Sequence, residues 1–285
     1  MKDGFLLIDK PKDWTSRDVC NKIQGVLKVK KVGHSGTLDP FATGLLIVAV
    51  GKATKALSFL EDFTKEYIAV LKLGTKTNTG DINGEVVEKK EIAHLKNSDL
   101  AAVSSTLIGK SMQIPPMTSA IKIDGKKLYE LAHKGIEIER KPREIEVFSL
   151  DLMLTKSDEI IFKTHVSKGT YIRTLGETIA ENLNTVGYLE DLKRTKINNI
   201  KVEDAIRLED VREERLISIS DVLSNFMEVI KVDAIIESKI KNGCQLDGNI
   251  SLKNSTNILL VDSDNNALAV YNKSKDKYVC QRGLW

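Results

Sequence analysis

Cysteine is scarce in this sequence, and its scarcity narrows the chemistry that the chain can perform. Three cysteines occur in 285 residues, at Cys20, Cys244 and Cys280. They are far apart and odd in number, so their spacing fits neither a zinc site nor a disulfide framework. The sequence therefore predicts no bound metal and indicates a reducing compartment, the cytoplasm.

Long apolar runs and the binding loops of common cofactors are also missing. No stretch approaches the ~20 apolar residues that span a bilayer. The apolar run near residue 5 is short and flanked by acids, unlike that of a signal peptide. Neither a P-loop nor a dinucleotide-binding fingerprint is present. We therefore expect a protein that does not contact a membrane and that works without a cofactor.

The chain has little excess charge of either sign. Lysine and arginine number 43 against 40 aspartates and glutamates, which gives a net charge of +3. That balance permits nucleic-acid binding without predicting it, because a local basic face matters more than the total. Apolar residues make up 41% of the chain, enough for a substantial core in one large domain, or in one large and one small domain.

The most informative stretch is residues 33–46, G-H-S-G-T-L-D-P-F-A-T-G-L-L. Its glycines allow tight turns and close approach of a ligand to the backbone. Pro40 keeps Asp39 out of the α-helical region, and the apolar residues 45–50 indicate a buried strand. The pattern predicts a rigid loop that presents the carboxylate of Asp39 and the imidazole of His34. An Asp-Pro pair alone would be ordinary turn chemistry.

The whole stretch resembles the signature G-H-x-G-T-L-D-P-x-A-x-G-L-L of the TruB family of tRNA pseudouridine synthases. By that resemblance, Asp39 is the catalytic nucleophile and His34 is a substrate-binding residue that helps displace the target base. Lys10-Pro11 resembles a second motif of the family. The resemblance places Lys10 among the substrate-binding residues, with a main role in supporting the loop.

Tyr67 lies in an alternating segment that predicts a half-buried strand. From the pattern alone it is a core or cross-strand aromatic residue. Lys65-Glu66-Tyr67 resembles a family segment whose tyrosine stacks on the flipped base and removes the C5 proton, which implies a catalytic role for Tyr67. Residues 75–84, T-K-T-N-T-G-D-I-N-G, form a turn-rich loop that resembles another family segment.

Arg173 lies in residues 167–174, S-K-G-T-Y-I-R-T, at a predicted helix start. An arginine there is usually a surface ion-pair partner, but the resemblance pairs it with Asp39 as a catalytic residue. A guanidinium beside a carboxylate keeps it ionised and fixes its orientation. By the same resemblance Tyr171 packs beside the site and Leu192 lines the base pocket. Tyr188 departs from the family pattern.

Seven basic residues lie between residues 122 and 143, among them Lys126 and Lys127. Acids are interspersed, so an ordinary charged surface would explain the pattern. The segment also resembles the insertion, about residues 118–148 here, that grips the RNA stem-loop as a mobile thumb in the family. That resemblance makes Lys126 and Lys127 substrate-binding residues. Proline and glycine at its ends are compatible with a hinge.

The resemblance implies an α+β fold, with a mixed, mainly antiparallel sheet, flanking helices and a central cleft. We expect a pseudouridine synthase catalytic domain over residues 1–226. Residues 227–285 alternate short apolar strands with polar turns, which predicts a small β module. That module resembles a PUA-like RNA-binding β-barrel, although an extension that merely packs would show a similar pattern.

The implied activity is isomerisation of the T-loop uridine, position 55 of tRNA, to pseudouridine by base flipping and nucleophilic catalysis. The implied partner is the T stem-loop of tRNA, and we expect a monomer without an obligatory protein partner. Two alternatives stay open. One is a non-catalytic RNA-binding or tRNA-folding protein on the same fold. The other is a glycosidase-like hydrolase, although such enzymes usually place two carboxylates around the scissile bond.

Overall fold

The computed structural model describes residues 2–60, 63–119, 121–123, 125–132, 135–250, 253 and 255–285. The chain forms two compact units. The discontinuous unit combines Met1–Asp62 with Asn198–Trp285, and the middle unit is Phe63–Ile197. The predicted boundary between residues 226 and 227 lies inside the discontinuous unit.

Strands and helices are mixed along the chain, which confirms the predicted α+β class. The strands are β1 (Gly4–Lys10), β2 (Val32–His34), β3 (Thr43–Val50), β4 (Lys65–Leu73), β5 (Thr75–Thr77), β6 (Val86–Lys89), β7 (Gly109–Gln113), β8 (Lys122–Ile123), β9 (Lys126–Lys127), β10 (Arg143–Lys156), β11 (Glu159–Val166), β12 (Gly187–Ile197), β13 (Ile200–Lys201), β14 (Ile206–Arg207), β15 (Glu228–Lys231), β16 (Leu246–Asp247), β17 (Asn257–Val261), β18 (Ala267–Ser274) and β19 (Lys277–Gly283). The α-helices are α1 (Ser16–Leu27), α2 (Asn97–Leu107), α3 (Leu128–Ala132), α4 (Ile172–Asn182), α5 (Ile219–Leu223) and α6 (Ala234–Lys241). Short 3₁₀ helices cover Gly51–Leu60, Val202–Asp204, Leu208–Asp210, Glu213–Arg215 and Gly248–Ile250.

The discontinuous unit is built on an antiparallel pair of strands. β1 pairs with β3 along its full length, from Gly4 opposite Val50 to Lys10 opposite Gly44. β2 pairs with β3, and β14 joins β1 in parallel. β3 is buried over nearly its whole length, which confirms the predicted buried strand at residues 45–50.

Helix α1 begins at a capping box between Thr15 and Asp18. The Thr15 hydroxyl accepts the Asp18 N–H at 3.0 Å, and the Asp18 carboxylate accepts the Thr15 N–H at 3.0 Å. This reciprocal pair satisfies two backbone donors that the first helical turn leaves free. Val19, Ile23 and Leu27 lie on one face and are buried, so the amphipathic pattern places the helix against the core.

The C-terminal residues form a second sheet within the discontinuous unit, in the strand order β15-β17-β18-β19-β16. β15 and β17 are parallel, and the other neighbours are antiparallel. Apolar side chains from these strands and from α6 form its core, including Ile240, Ile258, Leu260, Tyr271 and Tyr278. This arrangement agrees with the predicted small β module.

The middle unit contains an antiparallel sheet in the order β12-β4-β11-β10-β7. Helix α4 contacts β12 and buries Ile172, Leu175 and Ile179. A Cβ at Gly176 would lie 2.8 Å from Cδ2 of Leu189, so the absence of a side chain allows the helix to pack closely on the strand. This packing fixes the start of α4.

The predicted thumb insertion contains the hairpin β8–β9 and the helix α3. The sequence predicts a short basic helix that begins near Gly125 and ends at Gly135, and α3 is shorter than that. Among the described residues, no helix is both long and apolar enough to cross a bilayer.

Candidate active site

The loop that carries Asp39 connects the end of β2 at His34 to the start of β3 at Thr43. The Ser35 N–H donates to the Ile47 carbonyl at 3.0 Å, and the Ala42 N–H donates to the Asp39 carbonyl at 3.1 Å. The second bond closes a turn around Pro40. The first bond fixes the start of the loop to β3, and the second stabilises the loop from within.

Helix α1 holds the residue before Asp39. The hydroxyl of Ser16 accepts the N–H of Leu38 at 2.9 Å and donates to the Leu38 carbonyl at 3.2 Å. Leu38 and Phe41 are buried, so apolar anchors flank the half-buried Asp39. A loop anchored in this way restricts the positions that the Asp39 carboxylate can take. The sequence analysis did not identify Ser16 as a supporting residue.

The ammonium of Lys10 holds the residue after Asp39. Its Nζ donates to the carbonyl oxygens of Pro11 at 2.8 Å, Trp14 at 2.6 Å and Pro40 at 3.2 Å. Lys10 is 0% exposed. A buried charge is tolerated only where polar groups satisfy it, and these three carbonyls do so. The contacts support the predicted role of Lys10 in holding the loop, and direct substrate contact by Lys10 stays a prediction.

In the middle unit, Arg173 is the second residue of α4 and is only 4% exposed. Its Nη1 donates to the Thr79 carbonyl at 2.8 Å, and its Nη2 donates to the Thr118 carbonyl at 2.9 Å. Nη1 also donates to the Thr118 hydroxyl and lies 3.6 Å from a carboxylate oxygen of Asp81. The guanidinium is therefore held by several groups of its own unit.

Asp81 lies beside Arg173, and the sequence analysis did not single it out. Its Oδ1 accepts the Thr79 hydroxyl at 2.9 Å and the Asn83 N–H at 3.0 Å, and its side chain is buried. The other oxygen faces Arg173. The turn-rich segment 75–84 contains this aspartate, and its threonines are typical of a short loop that holds a carboxylate in place. That pattern could have identified Asp81 from the sequence.

Glu177 lies one helical turn after Arg173, on the same side of α4. Burial raises the pKa of the Glu177 carboxyl above its ordinary value, and Lys76 and Arg173 partly oppose that shift. The surroundings of the guanidinium are therefore poorly solvated, which strengthens its interactions with nearby anions.

Tyr67 lies on β4 between two neighbouring strands. It is opposite Thr164 of β11 and Arg194 of β12, while Leu192 is opposite Ala69 two residues further along β4. Side chains two residues apart point to the same face of a sheet, so Tyr67 and Leu192 share a face. Both are buried, as is Arg194, which the sequence analysis did not assign to the site.

Tyr171 precedes α4 and is held through its backbone. Its N–H donates to Oε1 of Gln113 at 2.8 Å, and its carbonyl accepts from Nε2 of Gln113 at 3.1 Å. Tyr171 and Arg173 are thus fixed near each other at the start of one helix. Gln113 is a second supporting residue that the sequence analysis missed, because it lies 58 residues away in the chain.

The remaining predicted residues are not tested by these contacts. His34 ends β2, opposite Val48, and is half-buried. The backbone of Lys126 and Lys127 forms β9, and their side chains lie outside the part of the chain that the structure describes. The ion pair between Asp39 and Arg173 stays a prediction. Within the described ranges, no group of three or more His, Cys, Asp or Glu side chains could hold a metal ion.

Comparison with solved structures identifies proteins of the same fold. A crystal structure of a Cbf5-Nop10-Gar1 complex matches with a TM-score of 0.75 and 20% identity, over 99% of this chain and 85% of that chain. A structure of an H/ACA RNP bound to a substrate RNA containing 2'-deoxyuridine matches with a TM-score of 0.74 and 18% identity, over 100% of this chain and 86% of that chain. At these identities the comparison supports the fold alone.

Sequence comparison is more specific. A protein named tRNA pseudouridine synthase B from Clostridium tetani is 36% identical over 282 residues, 97% of this chain and 97% of that protein. A protein of the same name from Clostridium kluyveri is 42% identical over 248 residues, 86% of this chain and 85% of that protein. Residues 24–172 match the family described as TruB family pseudouridylate synthase (N terminal domain). This chain therefore belongs to the TruB family of pseudouridylate synthases.

Proposed function

We propose that this chain converts a uridine of tRNA to pseudouridine. The observation that carries the proposal is the match of residues 24–172 to the TruB family, because that range contains the Asp39 loop and Tyr67. The relatives that share most of the chain are named tRNA pseudouridine synthase B. The target within tRNA that we propose is the T-loop uridine at position 55.

The reaction is an isomerisation. The bond between the ribose C1' and N1 of uracil breaks, the base rotates, and C1' forms a bond to C5. C5 loses a proton and N1 gains one, so no electrons are transferred and no group donor is consumed. The enzyme must extract the base from the RNA loop, provide an anionic nucleophile and accept the C5 proton.

Asp39 is the nucleophile in this proposal. Its loop is fixed on one side by Ser16 through Leu38 and on the other by Lys10 through Pro40. Because these contacts are made before substrate arrives, little reorganisation is needed to align the carboxylate. Arg173 pairs with Asp39, keeps it ionised and fixes its orientation. His34 helps displace the base from its stacked position.

Tyr67 and Leu192 form the base-binding wall. They share one face of the β4–β12 pair, so an aromatic ring and an apolar side chain are available on the same surface. Stacking on aromatic side chains is the usual way in which proteins hold unstacked RNA bases. Tyr67 also takes the C5 proton, and Tyr171 packs beside the site.

The RNA-gripping elements are the thumb insertion at about residues 118–148, with Lys126 and Lys127, and the PUA-like module at residues 227–285. Both extend the contact surface beyond the single flipped nucleotide. We propose that the protein is cytoplasmic, because its proposed substrate is tRNA. We further propose that the chain acts as a monomer without an obligatory protein partner, which light scattering on the purified protein tests.

Incubation of the purified chain with an unmodified tRNA transcript, followed by mapping of pseudouridine, tests the function. We expect one pseudouridine, in the T-loop, and none in a matched transcript that carries cytidine at position 55. Pseudouridine at another uridine would overturn the assignment of the target. Tight tRNA binding with no pseudouridine at any position would instead favour the non-catalytic alternative.

A further inference from the structure

A short segment, residues 113–119, runs from the last residue of β7 into the first residues of the thumb insertion, and we refer to it as the strap. Pro115 and Pro116 exclude a regular helix here. The strap begins at Gln113, whose carboxamide bonds both the N–H and the carbonyl of Tyr171, immediately before α4. This double contact fixes the first end of the strap to the start of the helix that carries Arg173.

The other end of the strap contacts the side chain of Arg173. The Thr118 carbonyl accepts from Nη2 at 2.9 Å, and the Thr118 hydroxyl accepts from Nη1. Thr118 thus accepts hydrogen bonds from both terminal nitrogens of Arg173. Two such bonds set the plane of the guanidinium as well as its position. The Thr79 carbonyl and the Asp81 carboxylate constrain Nη1 from the turn-rich loop.

We infer that Thr118 is a positioning residue, which aligns Arg173 for its role toward Asp39. This inference rests on the proposed function, because it assumes that Arg173 acts in the isomerisation.

The experiment compares Thr118→Val and Thr118→Ser with the unchanged protein, at saturating enzyme and in a single turnover on a tRNA transcript. Valine keeps the branched shape and the main-chain carbonyl but removes the hydroxyl acceptor. We expect Thr118→Val to slow pseudouridine formation by ~10-fold or more, the loss typical of one hydrogen bond to a charged group. The Kd for tRNA should not change, and Thr118→Ser should restore the rate.

Thr106→Val is the matched control. The Thr106 hydroxyl donates to the Ala102 carbonyl at 3.0 Å on the exposed side of α2, so its loss should leave the rate unchanged. A Thr118→Val protein as fast as the unchanged one would overturn the inference while the function stands. So would a weaker Kd at an unchanged saturating rate, or a Thr118→Ser protein as slow as Thr118→Val. If the protein without any substitution forms no pseudouridine, the proposed function itself is overturned.

Discussion

The ammonium of Lys10 lies 3.2 Å from the carbonyl oxygen of Pro40, the residue that follows Asp39. The same ammonium bonds the carbonyls of Pro11 and Trp14, so one buried cation joins the end of β1 to two loops. The Asp13 N–H also donates to the Pro40 carbonyl, at 2.9 Å. The loop that presents Asp39 is therefore supported at the Pro40 carbonyl, by the Lys10 ammonium and by the Asp13 N–H.

Replacement of Lys10 by methionine tests this support. Methionine fills similar space but leaves the three carbonyls without their shared cation. We expect the free energy of unfolding to fall by ~2–3 kcal/mol and pseudouridine formation to slow, as measured by urea unfolding and single-turnover assays. Lys12→Met, at an exposed position two residues away, is the control and should change neither. Equal stability of the Lys10→Met and unchanged proteins would contradict a supporting role for the cation.

Glu159 provides a test of electrostatics away from the site. Its carboxylate accepts from Lys72 at 2.8 Å, Lys156 at 2.9 Å and Thr155 at 2.8 Å. The hydrogen bond from Lys72 is the largest cause that lowers the pKa of Glu159 from 4.5 to about 2, followed by those from Lys156 and Thr155. The folded-state pKa is below the unfolded one, so the stabilising contribution of the carboxylate is fully present above about pH 4.5. It is lost as the pH falls toward about 2.

Glu159→Gln should therefore lower the urea midpoint at pH 7. The difference from the unchanged protein should shrink at pH 3 and approach its minimum near pH 2. Glu144→Gln is the control, because the Glu144–Lys110 pair is exposed on both sides and such pairs contribute little. A difference between the Glu159→Gln and unchanged proteins that is equally large at pH 7 and pH 2 would show that the carboxylate charge does not cause it.

The thumb assignment is tested by Lys126→Glu combined with Lys127→Glu. If these lysines contact phosphates, charge reversal should weaken tRNA binding by ~10-fold or more and reduce the slope of log Kd against log salt by up to ~2. Filter binding or fluorescence titration across several salt concentrations measures both quantities. The effect should be uniform across tRNA sequences, because phosphate contacts carry no sequence information.

Lys89→Glu combined with Lys90→Glu is the control for the thumb variant. It changes the total charge by the same amount as the thumb variant, at two adjacent and exposed lysines. Its effect on tRNA affinity should be much smaller. Unchanged affinity of the Lys126→Glu, Lys127→Glu protein, or an equal loss in both double variants, would refute the thumb assignment.

Local patterns predicted those parts of the fold that local interactions determine. The sequence predicts a helix through about Leu27 that is capped by Thr15 or Ser16, and the structure shows that Thr15 caps α1. The apolar spacing of Val19, Ile23 and Leu27 follows the buried face of the helix. The alternation of β4 and the apolar run of β3 also appear as strands. The sequence also predicts a helix from Ser98 to Ile108 with Asn97 or Ser98 as its cap. Helix α2 instead begins at Asn97, because the Lys96 N–H donates to the Asp99 carboxylate at 2.8 Å.

The support of the candidate site could not be predicted in the same way. Gln113 meets Tyr171 across 58 residues, and Thr118 meets Arg173 across 55. No periodicity or spacing in a sequence indicates which distant polar residues will meet. The supporting role of Ser16 could not be predicted either, because serine is common in the first turn of a helix. Only the tertiary structure shows that Ser16 bonds Leu38.

The resemblance to a family identified candidates that physical patterns alone would have left ambiguous. Tyr67 has the pattern of a core aromatic residue, and it is indeed buried at 7% exposure. Its position on one face with Leu192 is compatible with both structural and catalytic roles. An aromatic residue that stacks on a flipped base is buried like a core aromatic residue when no base is bound, so its pattern in the sequence is the same.

Pseudouridine formation by Asp39→Asn on an unmodified tRNA transcript tests the central claim most directly. Asparagine has nearly the same shape but is not an anion, so it cannot supply the nucleophile. Asp264→Asn, at an exposed position in the turn between β17 and β18, is the matched control. The account predicts no pseudouridine from Asp39→Asn, an unchanged Kd for tRNA, and full activity of the control. Pseudouridine formation by Asp39→Asn at the rate of the unchanged protein would contradict it.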